Sequence, residues 1–300
     1  MEVVAIDLGS NTLRMIGRDC QNDLFTQEYE IMVKTADKMV ETQIISEAAT
    51  QRVIDALHVA DKVFDFKCKK IVATTTAAMR MARNSSEVIQ TIFAHTGVKF
   101  EIIEASFEAY LTNLGVSTRM TTLGYDKEAF FLLDVGGGST EVIYSFGKEF
   151  VSKSLDVGIV TMSQKYENKE QLVSAMYEAF EPLRDFIKEV QAEKKATMLV
   201  ATAGTPTTIA SMKLGMTVKT YDAKKVNGTL LTLGDLDEGL DRLMKMDETQ
   251  RALHVGVGRD SLIIAGVEII KVLYDILGFD IGLVIDDGLR EGLAIHSCNN

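Results

Sequence analysis

Two apolar segments of the chain end in nearly the same polar turn. Residues 3–6 lead into Asp7-Leu8-Gly9, and residues 130–133 lead into Asp134-Val135-Gly136. A second short strand pattern follows each turn, so each glycine segment is predicted to be the turn of a β-hairpin. Because the two hairpins lie about one domain length apart, the pattern predicts a duplicated pair of lobes.

Helical and strand patterns alternate between and after the hairpins. Ser46 is a candidate N-cap for a helix with apolar positions at i, i+3, i+4 and i+7 from Val53 to Phe64. Further helices are predicted at 77–94, 169–195 and 236–246, and strands at 69–74 and 197–201. This alternation indicates an α/β fold with mixed sheets, with domains at 1–120 and 121–285 and a boundary in the polar stretch 117–126.

Composition and charge narrow the classes of function. The 300 residues are 46% hydrophobic, which excludes a disordered chain, and the net charge of −11 disfavours a partner that is a nucleic-acid duplex. An anionic substrate would need a bound metal ion or a local cationic patch, because the field of the whole molecule opposes it. Lysines and arginines concentrated in residues 61–83 could supply such a patch.

The sequence also carries signals about compartment. The N-terminal residues lack the basic region of a secretory signal, and the longest apolar stretch, 261–279, contains three charged residues, so we expect a cytoplasmic protein without a membrane partner. The three cysteines, Cys20, Cys68 and Cys298, are odd in number and form no C-x-x-C pair. We therefore expect all three to be reduced thiols.

The hairpin turns have the residues that phosphate chemistry needs. Glycines let successive backbone N–H groups approach a phosphate, and an aspartate at a strand end can hold a hydrated divalent cation. Glu141 adds a second carboxylate across the hairpin from Asp134. A tight turn with exposed acids is the simpler alternative, but two matching turns and a third loop at Gly204 favour a site for phosphate and metal.

At residues 5–14 and 133–141 the sequence resembles the two phosphate loops of the exopolyphosphatase / guanosine pentaphosphate phosphatase (Ppx/GppA) family, which belongs to the actin–hexokinase–Hsp70 superfamily. Other matching segments lie at 73–84, 201–205, 258–260, 265–266 and 288–292, so the resemblance covers essentially the whole chain. It implies an α/β fold of two actin-like (ribonuclease H-like) lobes with mixed sheets and an interlobe cleft. It also implies that the C-terminal helix, about 286–300, joins the first lobe.

The resemblance assigns roles to individual residues. Glu108 lies at the position of the glutamate that activates the attacking water in that family. Mg²⁺ or Mn²⁺ is the implied cofactor, held or oriented by Asp7, Asp134 and Glu141. The predicted phosphate contacts are Gly9, Ser10, Asn11, Arg14, Arg80, Gly136, Gly137, Gly138, Ser139, Thr202, Gly204 and Thr205.

Some positions depart from the family pattern. Phe107 and Tyr110 stand where the family has a glutamate and an arginine beside the base, Ala105 replaces a glycine, and Thr161 replaces an arginine.

The sequence thus predicts a metal-dependent hydrolase that releases terminal phosphate from inorganic polyphosphate, from guanosine pentaphosphate, or from both. A non-catalytic sensor that binds polyphosphate or an alarmone is the alternative that the altered residues suggest. A kinase of the same superfamily is a further alternative, with an aspartate base acting on a substrate hydroxyl. The preferred substrate and the oligomeric state stay open, with a homodimer among the options.

Overall fold

The computed structural model describes residues 1–125, 128–147, 149–166, 168–256 and 262–300. Contacts divide the chain into two compact units, one formed by residues 1–115 together with 289–300 and the other by residues 116–288. The border between the two units, at residues 115 and 116, lies inside a helix and not in the polar stretch 117–126. Residue 126 lies outside the described residues.

The first unit is built on a five-stranded mixed sheet with the order β3-β2-β1-β4-β5. Its strands are β1 (Glu2–Leu8), β2 (Thr12–Asp19), β3 (Leu24–Met32), β4 (Lys70–Thr75) and β5 (Phe100–Ile102). Its helices are α1 (Met39–Thr42), α2 (Glu47–Phe64), α3 (Ala77–Met81), α4 (Ser85–Thr96), the first part of α5 (Ala105–Thr122), and the C-terminal α14 (Leu289–Asn299).

The helix after Ser46 is confirmed, whereas the single helix at 77–94 is wrong. The Ser46 hydroxyl accepts a hydrogen bond from the Ala49 amide at 3.2 Å and caps α2. Two helices, α3 and α4, occupy 77–94 instead, because the side chain of Asn84 accepts from the Ile45 amide and donates to the Ile45 carbonyl, both at 2.9 Å. This pairing with a distant segment interrupts the helix, and nothing in the local sequence indicates it.

The second unit contains a six-stranded mixed sheet with the order β10-β11-β9-β6-β7-β8. Its strands are β6 (Phe130–Val135), β7 (Thr140–Phe146), β8 (Glu149–Leu155), β9 (Met198–Thr202), β10 (Leu230–Thr232) and β11 (Ile281–Val284). Its helices are α6 (Ile159–Lys165), α7 (Lys169–Ala179), α8 (Leu183–Val190), α9 (Gly204–Lys213), α10 (Ala223–Val226), α11 (Leu233–Lys245), α12 (Glu248–Val255) and α13 (Ile263–Leu277), after the remainder of α5.

Most sequence expectations for the second unit are confirmed. The strand at 197–201 corresponds to β9, and the helix at 236–246 to α11. The helix expected at 169–195 is two helices, since Pro182 lies between α7 and α8 and cannot donate a helical hydrogen bond. Within the apolar stretch 261–279, α13 runs from Ile263, while residue 261 and the family-like segment 258–260 lie outside the described residues.

The two sheets share one topology, which confirms the predicted duplication. In each unit the first strand pairs antiparallel with the second and parallel with the fourth, giving β3-β2-β1-β4-β5 and β8-β7-β6-β9-β11. Each glycine segment is the turn of the hairpin between the first two strands. Across the described ranges, no helix is long and apolar enough to cross a membrane.

The C-terminal helix α14 packs on β1 and β2 within the first unit. Leu289, Leu293 and Ala294 of α14 join Ala5 and other buried side chains of the sheet in one apolar cluster. A Cβ built on Gly292 would lie only 1.8 Å from the carbonyl oxygen of Leu111 on α5. Glycine is therefore required at this close contact between the two helices.

Candidate active site

The predicted aspartate of the first unit lies in a row of polar residues across the sheet. Glu30, Arg14, Asp7 and Thr74 are direct partners on the successive strands β3, β2, β1 and β4, and we call them the first polar row. Side chains in direct register project from the same face of a sheet. The Nε atom of Arg14 lies 3.3 Å from a carboxylate oxygen of Glu30, so the arginine supplies positive charge beside Asp7.

The second unit has an equivalent row with different charges. Ser154, Glu141, Asp134 and Thr202 are partners on β8, β7, β6 and β9, and we call them the second polar row. Ser154 donates a hydrogen bond of 2.9 Å to Glu141, which is 1% exposed. Asp134 and Glu141 thus place two carboxylates side by side in a row that contains no lysine or arginine.

The first glycine turn is held from one side by the backbone that follows β3. The carbonyl of Ser10 accepts from the amide of Ala36 at 2.8 Å, and the carbonyl of Asn11 accepts from those of Val33 and Lys34 at 2.9 Å. In a planar trans peptide the N–H group points away from the preceding carbonyl. The Asn11 amide is therefore directed to the side opposite this support.

The second glycine turn is held in the same way by the N-terminus of α6. The amides of Ile159 and Val160 donate to the carbonyls of Gly136 and Gly137, at 2.9 and 2.8 Å. By the same peptide geometry, the amides of Gly137 and Gly138 point away from α6. The two predicted phosphate loops thus share one construction, although different elements support them.

Because Gly158 has no side chain, the start of α6 can approach the second glycine turn closely. A Cβ on this residue would lie 2.4 Å from the carbonyl oxygen of Gly137 and 2.5 Å from the amide nitrogen of Gly138. Thr161 closes the same turn, because its hydroxyl accepts from the Gly158 amide at 2.9 Å and donates to the Gly158 carbonyl at 3.0 Å. Sequence reasoning missed Gly158 and Ser154, since the contacts of both depend on strand pairing.

The third predicted loop begins at Thr202 and leads into α9. The Thr202 hydroxyl donates to the carbonyl of Asp287 at 2.9 Å, so it is engaged within the second unit. Thr205 packs against α13, where a Cβ on Gly266 would lie 2.2 Å from its hydroxyl oxygen. Between them, Ala203 has φ 73° and ψ −173°, a region that is almost restricted to glycine. Backbone strain is therefore concentrated where β9 meets Gly204.

The predicted base and a predicted phosphate contact form an ion pair. Nη1 of Arg80 lies 2.6 Å from a carboxylate oxygen of Glu108 and also donates to the carbonyl of Ile103 at 2.8 Å. The side chain of Glu108 is only 9% exposed and that of Arg80 is 19% exposed. Arg80 thus fixes the carboxylate of Glu108, a contact that the sequence did not reveal.

The residues that depart from the family pattern have structural partners. Phe107 and Tyr110 stack with ring centroids 5.7 Å apart, and the ring of His296 meets both edge-on at 5.4 and 5.6 Å. They join α5 to α14 beside Glu108. Thr161 closes the turn at the start of α6, as described above.

The expectation of three reduced cysteines is wrong for two of them. Cys20 and Cys298 form a disulfide, and Cys68 is an exposed free thiol. The bonded cysteines are 278 positions apart in sequence and meet because α14 packs on the N-terminal hairpin. Cysteine spacing does not carry that information.

No cluster of three histidine, cysteine, aspartate or glutamate side chains that could hold a metal ion occurs among the described residues. Of the predicted ligands, Asp134 and Glu141 are neighbours in the second polar row, and Asp7 neighbours Arg14 in the first. The second row therefore offers two carboxylates, and any further ligands would be water or substrate oxygens.

Comparison with known proteins gives a consistent result. Residues 25–300 match the Ppx/GppA phosphatase family. The fold resembles that of an exopolyphosphatase from Cytophaga hutchinsonii, with a TM-score of 0.88 and 21% identity over 100% of this chain and 98% of that chain. It also resembles the PPX-GPPA enzyme of Aquifex aeolicus, with a TM-score of 0.76 and 27% identity over 99% of each chain.

A curated relative shows a different domain context. The bifunctional 3-dehydroquinate synthase/phosphatase of Fusobacterium nucleatum is 28% identical over 313 aligned positions, which cover 99% of this chain and 46% of that protein. The chain thus spans less than half the length of this relative. The match over residues 25–300 and the two-lobe actin-like fold lead to one conclusion: this chain belongs to the Ppx/GppA phosphatase family.

Proposed function

We propose that the chain is a metal-dependent phosphoanhydride hydrolase that releases terminal phosphate from inorganic polyphosphate, guanosine pentaphosphate, or both. The observation that carries this proposal is the second polar row, which places two carboxylates next to a glycine turn with outward-directed amides. Family membership supports phosphatase chemistry. A cytoplasmic location and a homodimer stay predictions.

Asp134 and Glu141 fit Mg²⁺ or Mn²⁺. Both supply the hard oxygen ligands that these cations prefer, and Mg²⁺ commonly binds to one or two carboxylates with water and substrate phosphate completing its coordination. When bound, the cation would neutralise charge on the phosphate oxygens. Asp7 has the guanidinium of Arg14 beside it in register, so the first polar row has a permanent cation of its own.

The glycine turns would bind the phosphates through their backbone. The amides of Asn11, Gly137 and Gly138 are directed away from the segments that hold their loops, and such amides are suitable donors to phosphate oxygens. Because neighbouring backbone hydrogen bonds fix the loops, the donors would not need to reorganise when a phosphate binds.

Glu108 would accept a proton from the attacking water. Its carboxylate is held by Arg80, which is in turn anchored on the carbonyl of Ile103, so the base has a defined orientation. A positioned general base contributes about 10²–10⁴-fold to the rate of a reaction.

The direct test is phosphate release from polyphosphate and from guanosine pentaphosphate, measured side by side with Mg²⁺, with Mn²⁺ and with excess chelator. We expect release from at least one substrate without an added acceptor alcohol, and its loss in chelator. Full activity in chelator would contradict the metal assignment. A requirement for an acceptor hydroxyl would indicate a kinase instead.

The 2.6 Å ion pair between Arg80 and Glu108 favours a second candidate, a non-catalytic sensor of polyphosphate or an alarmone. A carboxylate engaged by a guanidinium is restrained from approaching water, and the aromatic side chains of Phe107 and Tyr110 stand where the family has a glutamate and an arginine. Tight ligand binding measured by calorimetry, with no phosphate release under any metal condition, would establish the sensor.

A further inference from the structure

The disulfide lies at the C-terminal end of α14, whereas Gly292, which contacts α5, lies near its N-terminal end. Cys20 directly follows β2, and Cys298 is in the last turn of α14. Their Cα atoms are 5.3 Å apart, within the usual range for a disulfide, and both residues are partly exposed. The bond is therefore accessible to small thiols and covalently joins the last helix to the first hairpin.

The same helix also supports the segment that carries Glu108. Gly292 of α14 lies against the backbone of Leu111, and the ring of His296 packs against Phe107 and Tyr110 on either side of Glu108 in sequence. The disulfide at Cys298 and the contacts of α14 with α5 are therefore connected through one helix. Loss of the bond frees the end of α14 next to His296.

A basic side chain lies beside the bonded cysteines. Nζ of Lys70 donates to the carbonyl of Ser297 at 3.1 Å, one residue before Cys298. Arg18, two residues before Cys20, is 5% exposed but already pairs with Asp23, so the positive charge beside the cysteines is that of Lys70. Positive charge near a thiol favours the thiolate, which is the form that exchanges with disulfides.

We propose that Cys20 and Cys298 form a thiol–disulfide switch that reacts with low-molecular-weight disulfides and dithiols and controls how firmly α14 holds α5. In oxidation, the thiolate of one cysteine attacks a small disulfide such as oxidised glutathione, forms a mixed disulfide and releases one small thiolate. The second cysteine then attacks the sulfur of the first and releases the other small thiolate. Two electrons pass from the cysteine pair to the small disulfide, and the two thiol protons pass to the released thiolates.

The test equilibrates the full chain with oxidised glutathione or with dithiothreitol and compares native protein with C20S, C298S and C68S. Thiols are counted after alkylation, and hydrogen exchange is followed at residues 289–299 and 105–111. Because Cys68 can itself form a mixed disulfide with glutathione, the count is read in C68S: no thiol and no added glutathione mass after oxidation, and two thiols after reduction. Exchange in both segments should be about tenfold faster after reduction.

The variants separate the switch from a general effect of reductant. C68S should respond to dithiothreitol as the native protein does, whereas C20S and C298S should exchange rapidly in both conditions. If either serine variant does not fold, the comparison of hydrogen exchange in the oxidised and the reduced native protein still tests the proposal. Two thiols in C68S after equilibration with oxidised glutathione, or equal exchange in the two states, would overturn the proposal.

Phosphate release provides a second readout that rests on the proposed function. Reduction should lower the turnover number roughly two- to tenfold, because α5 positions Glu108 less firmly. Faster exchange together with no turnover in either state would leave the switch standing and remove the hydrolase assignment. Turnover that is equal in both states, with unchanged exchange, would remove the switch and leave the hydrolase.

Discussion

The two sheets have the same strand order and the same glycine turn, yet their polar rows differ in charge. In the first polar row the position beside the aspartate is Arg14, followed by Glu30. In the second polar row the equivalent positions are Glu141 and Ser154. The four residues of the first row therefore include an arginine, whereas the four of the second row include two carboxylates and no lysine or arginine.

Because of this difference in charge, we expect the two units to have different roles, although their folds are duplicated. Like charges directly opposite each other on paired strands destabilise a sheet, and a divalent cation removes that penalty while supplying catalytic charge. The first row already has a fixed positive charge from Arg14. We therefore expect the metal requirement to depend on the second unit, and the stability of the first unit to depend on its ion pair.

The largest expected effect is at Glu108, which lies outside both rows and separates the role of the base from that of the metal. Glu108→Gln keeps the size of the side chain but cannot accept a proton, so turnover should fall about 10²–10⁴-fold. Substrate affinity should stay near its original value in steady-state kinetics and calorimetry.

Glu104→Gln is the matched control for the base, since Glu104 is exposed and lies just before the start of α5. This variant should keep nearly full turnover. Unchanged turnover in Glu108→Gln would remove Glu108 from the mechanism.

The next effect tests the asymmetry of the rows directly. Glu141→Gln should lower turnover at fixed Mg²⁺ about 10–100-fold, because one carboxylate of the pair is lost. Higher Mg²⁺ should restore part of it, as measured by a metal titration of phosphate release. Glu30→Gln, at the edge of the first polar row, should leave the Mg²⁺ midpoint unchanged. Equal shifts in both variants would contradict the assignment of the metal to the second polar row.

Removing the fixed cation should affect stability. Arg14→Met removes the positive charge that lies between Asp7 and Glu30 in the first polar row, so the free energy of unfolding should fall by about 1–2 kcal/mol. Urea denaturation, with circular dichroism as the probe, gives this value. A smaller loss in the double variant Arg14→Met/Glu30→Gln would confirm that charge is the cause, and equal losses would attribute the effect to packing.

The smallest effect compares the two junctions between a parallel strand and the helix after it. Ala203, before α9, has φ 73°, whereas Thr76, before α3, has φ −125°. Ala203→Gly should therefore raise the free energy of unfolding by about 1 kcal/mol, because glycine adopts this conformation without strain. Thr76→Gly should lower it in the same thermal or urea experiment, and a loss of stability in both variants would exclude strain at Ala203.

The hairpins, the duplication and the chemistry of the turns could be predicted from the amino-acid sequence. Continuous apolar runs before Asp7 and Asp134 indicate buried strands, and a glycine two residues after each acid indicates a turn that approaches phosphate. The helix that follows Ser46 was also predictable, since its cap and its apolar period are local features. Local signals of this kind depend on neighbouring residues and need no knowledge of the fold.

Contacts between residues far apart in the sequence depend on how the chain folds. The partners of Asp134 and Asp7 in the polar rows follow from strand register. The ion pair of Arg80 with Glu108 joins α3 to α5, the helices that follow the neighbouring parallel strands β4 and β5. The bond between Cys20 and Cys298 forms because α14 returns to the first sheet. Such contacts are set by chain topology, because the hydrophobic burial that brings helices and strands together is non-directional and leaves no pairwise signal in one sequence.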